Sequence, residues 1–247
     1  MPHLILGDYL STPRTGHLAH SPYGELEKAD LAEFLRHWTG LHRQALACLR
    51  DRIHPTAQIH PSAIIGDDVI IGPHVRVYEF STVRDGSVLC AGAQVGFNCE
   101  VTRCFLGERA VLGHRIGINR TLVGADAHLS ATLTVAAISL WNNDLRHPHR
   151  EIIFRVPDGL YRCGTPRFGG ILGDGCQTGN NISLGPGIAI GPRCRIASGV
   201  TLAGRAVTAD STITAPHTAD TQIRLAPARS HRRTVYWTRL NAQNSQM

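Results

Sequence analysis

The chain has 247 residues and a net charge of +6, and no apolar stretch approaches the roughly 20 residues that a transmembrane helix needs. Lys28 is the only lysine among 25 basic residues, and the arginines are scattered with few aromatic residues near them, which argues against a nucleic-acid-binding protein. Because arginine favours phosphate and carboxylate partners, the composition indicates an anionic small-molecule ligand and neither nucleic acid nor a membrane.

The first segment, residues 1–52, is predicted to be a helical cap. Its opening residues include Asp8 and have neither the basic flank nor the cleavage site of a signal peptide, so we expect a cytoplasmic protein. Apolar residues recur at helical spacing from Leu31 to Trp38, and we expect this helix to end at Gly40 and a second helix to follow it. Both helices are expected to cover the open end of the domain that follows.

A period of six residues governs the next segment. From Ile53 the sequence divides into IHPTAQ, IHPSAI, IGDDVI, IGPHVR, VYEFST, VRDGSV, LCAGAQ and VGFNCE, and from Leu172 into LGDGCQ, TGNNIS, LGPGIA, IGPRCR, IASGVT and LAGRAV. The first position is aliphatic in every unit except TGNNIS, and the fifth is mostly small, as expected of inward-facing residues in a narrow prism. Each unit forms one short strand and one turn, and three units close a coil that stacks on the next at about 4.8 Å. The period therefore predicts an all-β domain, a parallel β-helix over residues 53–215. The similarity to hexapeptide-repeat proteins implies that its coiling is left-handed.

Two segments interrupt or follow this pattern. Residues 139–168 lack the period and are expected to form a loop that protrudes from one corner, because insertions in solenoids lie in turns. Residues 216–247 form a C-terminal tail that contains Arg232 and Arg233 within a stretch rich in arginine and aromatic residues.

Three stretches stand out within the domain: LGHRIG at residues 112–117, NDLRHPH at 143–149 and RFGGILGDGCQTGNNISLGPGIAIG at 167–191. They resemble a Gly-His turn, an Asn-Leu-Arg-His loop and a glycine-rich turn of the C-terminal acetyltransferase domain of bifunctional sugar-1-phosphate nucleotidylyltransferases. The resemblance implies an acyltransferase that uses acetyl-CoA or another acyl-CoA. Its acceptor would be an amino or hydroxyl group of a small sugar-like, nucleotide-sugar or amino substrate.

The same resemblance implies roles for individual residues. His114 would be the general base, because the attacking amine or hydroxyl must lose a proton and an imidazole suits this task near neutral pH. Asn143 would orient the substrate or the acyl group as the second catalytic residue. The expected acceptor-binding residues are Asn142, Arg146, His147 and His149.

The resemblance also implies a groove for acyl-CoA between neighbouring β-helices of a homotrimer. Arg232 and Arg233 are candidates for contacting the phosphates of CoA. Two places differ from the family: Gly117 stands where the family has a tyrosine, and His149 and Arg150 stand where it has a lysine.

Two other classes of function stay open at this point. One is a non-catalytic β-helix that binds a nucleotide sugar or scaffolds a partner. The other is a zinc enzyme similar to the γ-class carbonic anhydrases, which share this fold, although His114, His128 and the pair His147 and His149 do not reproduce the histidine spacing of that family.

Overall fold

The computed structural model describes residues 2–215, and most of them form a parallel β-helix with three faces. Face 1 contains β1 Gln58–Ile59, β4 Arg76–Val77, β7 Gln94–Val95, β10 Val111–Leu112, β13 His128–Leu129, β18 Gln177–Thr178, β21 Arg195–Ile196 and β24 Thr212–Ile213. Face 2 contains β2 Ile64–Ile65, β5 Thr82–Arg84, β8 Glu100–Thr102, β11 Gly117–Asn119, β14 Leu133–Val135, β19 Ile182–Leu184 and β22 Thr201–Leu202. Face 3 contains β3 Ile70–Ile71, β6 Val88–Leu89, β9 Phe105–Leu106, β12 Thr121–Val123, β17 Gly170–Leu172, β20 Ile188–Ile190 and β23 Arg205–Val207.

The three faces meet at corner A (between faces 1 and 2), corner B (between faces 2 and 3) and corner C (between faces 3 and 1). Strands pair in parallel with the strand one coil further on, as Val77 does with Val95 and Leu112 with Leu129. The first-position aliphatic residues point inward and form one continuous buried core. The predicted parallel β-helix is therefore confirmed.

Corner B becomes tighter partway along the β-helix. Thr82 pairs with Glu100, but on the next face Val88 pairs with Phe105, so the corner after β8 has one residue fewer than the corner after β5. The turn is then made by a single residue in the left-handed region, Arg103, whose φ is 49°. This shortening breaks the period of six, which explains why the middle of the domain cannot be divided into simple hexads.

The N-terminal segment contains one long helix where two were expected. Helix α1, Leu31–Cys48, continues through Gly40 and is capped by Asp30, whose Oδ1 accepts a hydrogen bond of 2.9 Å from the backbone N–H of Ala32. Glycine costs a helix about 1 kcal/mol relative to alanine, but buried residues before and after Gly40 pack on the same side of α1 and outweigh that cost. No helix within residues 2–215 is long and apolar enough to cross a bilayer.

The segment also covers a different part of the β-helix from the one expected. Instead of closing the open end, it packs against the outside of face 3, where the outward residues are apolar and buried: Ile70, Val88, Phe105, Leu122, Ile171 and Ala189. The inward residues Ile53, Ile59 and Ile65 of the first coil remain only partly buried. The expected end cap is thus wrong, because the larger uncovered apolar surface is the flank of the solenoid.

The insertion after β14 is only partly a protruding loop. A hairpin of β15 Ile153–Val156 and β16 Gly159–Arg162 joins the sheet of face 3, where Arg155 pairs in parallel with Arg205. Tyr161 of the hairpin donates a hydrogen bond of 2.6 Å from its hydroxyl to Asp30 Oδ1, which ties the hairpin to the start of α1. The protruding part is therefore residues 138–150, called the lobe below.

Candidate functional site

His114 lies at corner A, between β10 and β11, with its side chain exposed to solvent. Its backbone carbonyl accepts a hydrogen bond of 2.9 Å from the N–H of Thr132 one coil further on, which fixes the turn. Among residues 2–215 its imidazole has no hydrogen-bonding partner, so both ring nitrogens are accessible to a ligand.

Two other histidines in the turns, His54 and His60, form local hydrogen bonds, whereas the ring of His74, like that of His114, has no hydrogen bond among residues 2–215. The Nδ1 atom of His54 lies 2.9 Å from Thr56 Oγ1, and that of His60 lies 2.8 Å from Ser62 Oγ. These bonds close small polar turns and give the two side chains a structural role. His114 differs from them because nothing in its own turn engages the ring.

A shallow groove runs along face 2 and reaches the turn of His114 through the next residue, Arg115, although His114 itself does not line it. It is lined by residues of corner A and of the outward side of face 2, including Phe80, Arg84, Glu100, Arg115 and Gly117. Arg84 and Glu100 form an ion pair across its floor. The groove is open to solvent on one side, so a bound ligand would need a second wall to be enclosed.

The lobe presents most of the other candidate residues to solvent. Asn143, Arg146, His147 and His149 are all exposed on it. His147 Nδ1 and Asp144 Oδ2 lie 2.9 Å apart, and this hydrogen bond holds the pKa of Asp144 below its usual value. Four of the predicted site residues thus lie together in one accessible segment.

Asn142 differs from its neighbours in the lobe because it is buried. Its side-chain oxygen accepts hydrogen bonds from the backbone N–H groups of His149 (3.1 Å) and Arg150 (2.8 Å), and its Nδ2 donates to the carbonyl of Ser139 (2.7 Å). These three bonds join the two ends of the lobe. Asn142 therefore shapes the lobe, although the sequence had suggested a direct contact with the acceptor.

Within one chain His114 and Asn143 lie at different corners. His114 precedes β11 on corner A, whereas the lobe leaves β14 at corner B, so the width of face 2 separates them, about 10 Å or more for a strand of three residues. Within one chain, His114 and Asn143 could contact one acceptor only if that acceptor spanned the width of face 2. Arg232 and Arg233 lie outside the described residues, so their predicted contacts with CoA stay a prediction.

Sequence reasoning missed two features near this site. One is an exposed pair of apolar residues on the lobe, Leu140 and Trp141, which border a cleft with Pro186 and Gly204. The other is a set of three arginines on corner B: Arg103, Arg120 and Arg167. In the sequence, the three arginines are indicated only by the shortened corner, which becomes visible when the strands are aligned coil by coil.

The histidine-rich composition does not assemble into a metal site in the described part of the chain. Between residues 2 and 215 no three histidine, cysteine, aspartate or glutamate side chains lie close enough together to hold a metal ion. His114 and His128 lie on a corner and a face, respectively, without a third ligand beside them.

Comparison with known proteins gives one match to a family model and several matches to solved structures at low identity. Residues 50–152 match the model of the GMPPB C-terminal domain, a stretch that includes His114 and the whole lobe. No protein with a curated function matches the sequence.

Among solved structures, a perosamine N-acetyltransferase from Caulobacter crescentus in complex with CoA and GDP-perosamine is 17% identical, with a TM-score of 0.38. The alignment covers 68% of this chain and 61% of that one, so the chain spans about three fifths of that enzyme. LpxA from Acinetobacter baumannii is 16% identical over 67% of this chain and 69% of its own, with a TM-score of 0.37. AntD, an N-acyltransferase from Bacillus cereus in complex with dTDP and 3-hydroxybutyryl-CoA, is 16% identical over 77% of this chain and 88% of its own, with a TM-score of 0.36.

Proposed function

We propose that this hexapeptide-repeat β-helix protein, which matches the GMPPB C-terminal domain over residues 50–152, is an acyl-CoA-dependent acyltransferase. The observation that carries the proposal is His114. It is an exposed histidine with no hydrogen bond to its ring from residues 2–215, and its neighbour Arg115 lines an open groove. It also belongs to a turn that resembles the catalytic turn of sugar acetyltransferases. The acceptor we propose is an amino or hydroxyl group of a small sugar-like, nucleotide-sugar or amino substrate.

The proposed reaction needs one base and one polar group that orients the reactants. The acceptor nitrogen or oxygen attacks the thioester carbonyl, forming the new C–N or C–O bond, and His114 takes the proton that the acceptor loses. The C–S bond then breaks, and the thiolate of CoA leaves and receives that proton from the imidazolium. Asn143 would orient the acceptor or the acyl oxygen through its amide, with Arg146, His147 and His149 lining the entrance.

A homotrimer would supply the second wall of the groove. Corner A carries large apolar residues that are exposed in the single chain, with Phe80 at 62% and Phe97 at 40% of full exposure, and Ile64 on the adjoining face at 65%. Exposed aromatic residues at the edge of a groove are typical of protein interfaces. We therefore place a neighbouring copy, with its lobe, against face 2 and corner A. Outward Ile70 is not available for this contact, because the chain's own N-terminal segment covers it.

The test is a transfer assay with a matched histidine control. Acetyl-CoA would be incubated with a panel of aminosugars, nucleotide sugars and amino acids, and the released thiol measured. We expect His114→Ala to lower kcat by about 10²- to 10⁴-fold, the usual contribution of a positioned general base. His60→Ala removes another exposed histidine of corner A, one that is bonded to Ser62, and should leave turnover unchanged.

Two results would contradict the proposal. Near-normal turnover in His114→Ala would place the base elsewhere. If no acceptor reacts and acetyl-CoA does not bind, the non-catalytic β-helix that binds a nucleotide sugar becomes the better description. The cytoplasm stays the predicted location.

A further inference from the structure

Three arginines lie on successive levels of corner B. The backbone N–H of Arg103 donates to the carbonyl of Arg84 (3.1 Å) and that of Arg120 to the carbonyl of Thr102 (2.9 Å), which places the two turns directly above one another. At the next level the carbonyl of Arg120 accepts a hydrogen bond of 3.0 Å from Gly169, two residues after Arg167. The three side chains, called the arginine stack below, thus leave the β-helix at neighbouring levels about 4.8 Å apart.

The arginine stack is held in place but not neutralised. Arg103 Nη1 donates to Thr39 Oγ1 of helix α1 at 2.9 Å, and Arg167 Nη2 donates to the carbonyl of Arg146 in the lobe at 3.2 Å. No carboxylate within residues 2–215 forms an ion pair of 4.0 Å or less with any of the three guanidinium groups. The middle residue, Arg120, also has no hydrogen-bond acceptor for its side chain among the described residues.

This arrangement is electrostatically unfavourable in the free protein. Burial and the neighbouring charges of Arg103 and Arg167 lower the pKa of Arg120 to about 10, and Asp85 offsets only part of the effect. A half-buried cation between two others is stabilised when an anion lies among them, because the like charges then share a counter-charge.

Corner C shows a different arrangement, in which two arginines are paired with aspartates. Arg109 makes two parallel hydrogen bonds to Asp126, and Arg193 makes two to Asp210, always one coil further on. On corner B, by contrast, the residue one coil after Arg103 is another arginine, Arg120. Among the described residues, no carboxylate within ion-pairing distance supplies the corresponding counter-charge to the arginine stack.

We propose that Arg103, Arg120 and Arg167 bind the phosphate groups of a small molecule, with a diphosphate as the best match. Guanidinium groups present planar pairs of N–H donors that suit phosphate oxygens, and a diphosphate offers such oxygens to two neighbouring levels at once. The contact between Arg167 and Arg146 links the arginine stack to the lobe, so a ligand held there lies beside the candidate acceptor-binding residues. The inference deepens the proposed function, because acyl-CoA and nucleotide sugars both carry a diphosphate.

The experiment is calorimetric titration of the full chain with inorganic pyrophosphate, CoA and UDP-N-acetylglucosamine. We expect pyrophosphate to bind the wild-type protein and Arg120→Gln to weaken this binding about ten- to hundred-fold, since hydrogen bonds to charged groups are lost. Arg120→Lys keeps the charge but loses the paired donors and should give an intermediate affinity. Arg193→Gln is the matched control, a corner arginine with its own partner, and should bind like wild type.

The two organic ligands identify the source of the diphosphate. If Arg120→Gln weakens the binding of CoA but not of UDP-N-acetylglucosamine, the arginine stack belongs to the acyl donor. If it weakens only the binding of UDP-N-acetylglucosamine, the arginine stack belongs to the acceptor. Thermal melting without ligand provides a fold check, because Arg120→Gln removes a repulsive charge and should melt at the same or a higher temperature than wild type.

Either of two outcomes would overturn the inference. One is that pyrophosphate fails to bind the wild-type protein at millimolar concentration. The other is that Arg120→Gln and Arg167→Gln bind all three ligands as tightly as wild type. If the wild-type protein binds pyrophosphate but transfers no acetyl group, only the proposed acyltransferase activity is refuted.

Discussion

Faces 2 and 3 of the β-helix are built from the same repeat but serve different purposes. The outward positions of face 3 are apolar, from Ile70 to Ala189, and they are buried under the N-terminal segment and the β15–β16 hairpin. The outward positions of face 2 are mostly polar or small, and Asn119, Thr134 and Ser183 among them are exposed. One flank of the solenoid is thus used for stability, and the other is left free for ligands or a second copy of the chain.

Phe105 gives the largest expected difference between the two faces. It is fully buried on face 3 and stacks on Tyr23 with ring centroids 5.7 Å apart. We expect Phe105→Ala to lower the free energy of unfolding by about 3–5 kcal/mol, because it removes a large buried side chain and leaves a cavity. Urea unfolding would measure this loss.

The control for Phe105 is Thr134→Ala on face 2. Thr134 is exposed, so its loss should change the free energy of unfolding by less than about 0.5 kcal/mol. Similar losses for the two variants would mean that face 3 is not the stabilising flank.

His42 gives a smaller effect that depends on pH. Its Nε2–H donates to the carbonyl of Asp68 at 2.7 Å, and its Nδ1, 2.8 Å from the Tyr23 hydroxyl, accepts from it. Burial lowers the pKa of His42, and the positive charge of Arg103 acts in the same direction, while the contacts with Asp68 only partly oppose them. The folded protein therefore takes up the proton less readily than the unfolded chain.

The stability that neutral His42 contributes should be complete above about pH 6.5 and decrease as the pH falls from there towards the lower pKa of the folded state. Unfolding of wild type at pH 7.5 and 5.5 should show this decrease, and His42→Gln should show a smaller one. His60→Gln, which alters an exposed histidine, should behave like wild type. Equal pH dependence in wild type and His42→Gln would refute the account of this contact.

Arg109 gives the smallest expected effect. Its two bonds to Asp126 are both 2.7 Å long, but about half or more of each side chain is exposed. Exposed ion pairs contribute about 0.2–1 kcal/mol, so Arg109→Gln should lower stability slightly. Arg120→Gln on corner B should not lower it at all, and a larger loss there than at Arg109 would mean that the arginine stack is structural.

Much of the fold could be predicted from the sequence because the inward positions follow a strict period. The outward positions follow a second pattern, which is less obvious than the period of six. Every third unit has an apolar outward residue, as at Ile70 and Val88, and these residues identify the flank that the N-terminal segment covers.

The candidate site was harder to predict because its residues come from different corners. The histidine of LGHRIG and the asparagine and histidines of NDLRHPH could be proposed as candidates from local motifs. The supporting role of Asn142 in the lobe could not be predicted in this way, because its hydrogen-bonding partners are backbone groups of His149 and Arg150. The arginine stack was also hidden, because Arg103 and Arg120 are 17 residues apart, the spacing of the shortened coil and not a multiple of six.

The central claim is that face 2 becomes a catalytic site only with a second copy of the chain, whose lobe supplies Asn143 to His114. Co-expression of differently tagged His114→Ala and Asn143→Ala chains tests it most directly, once each variant alone has been found inactive. In a trimer that contains both chains, one site of three receives an intact His114 from one protomer and an intact Asn143 from its neighbour, so purified mixed trimers should recover about a third of wild-type turnover. Mixed trimers as inactive as their parents would contradict the claim and place both residues within a single chain's site.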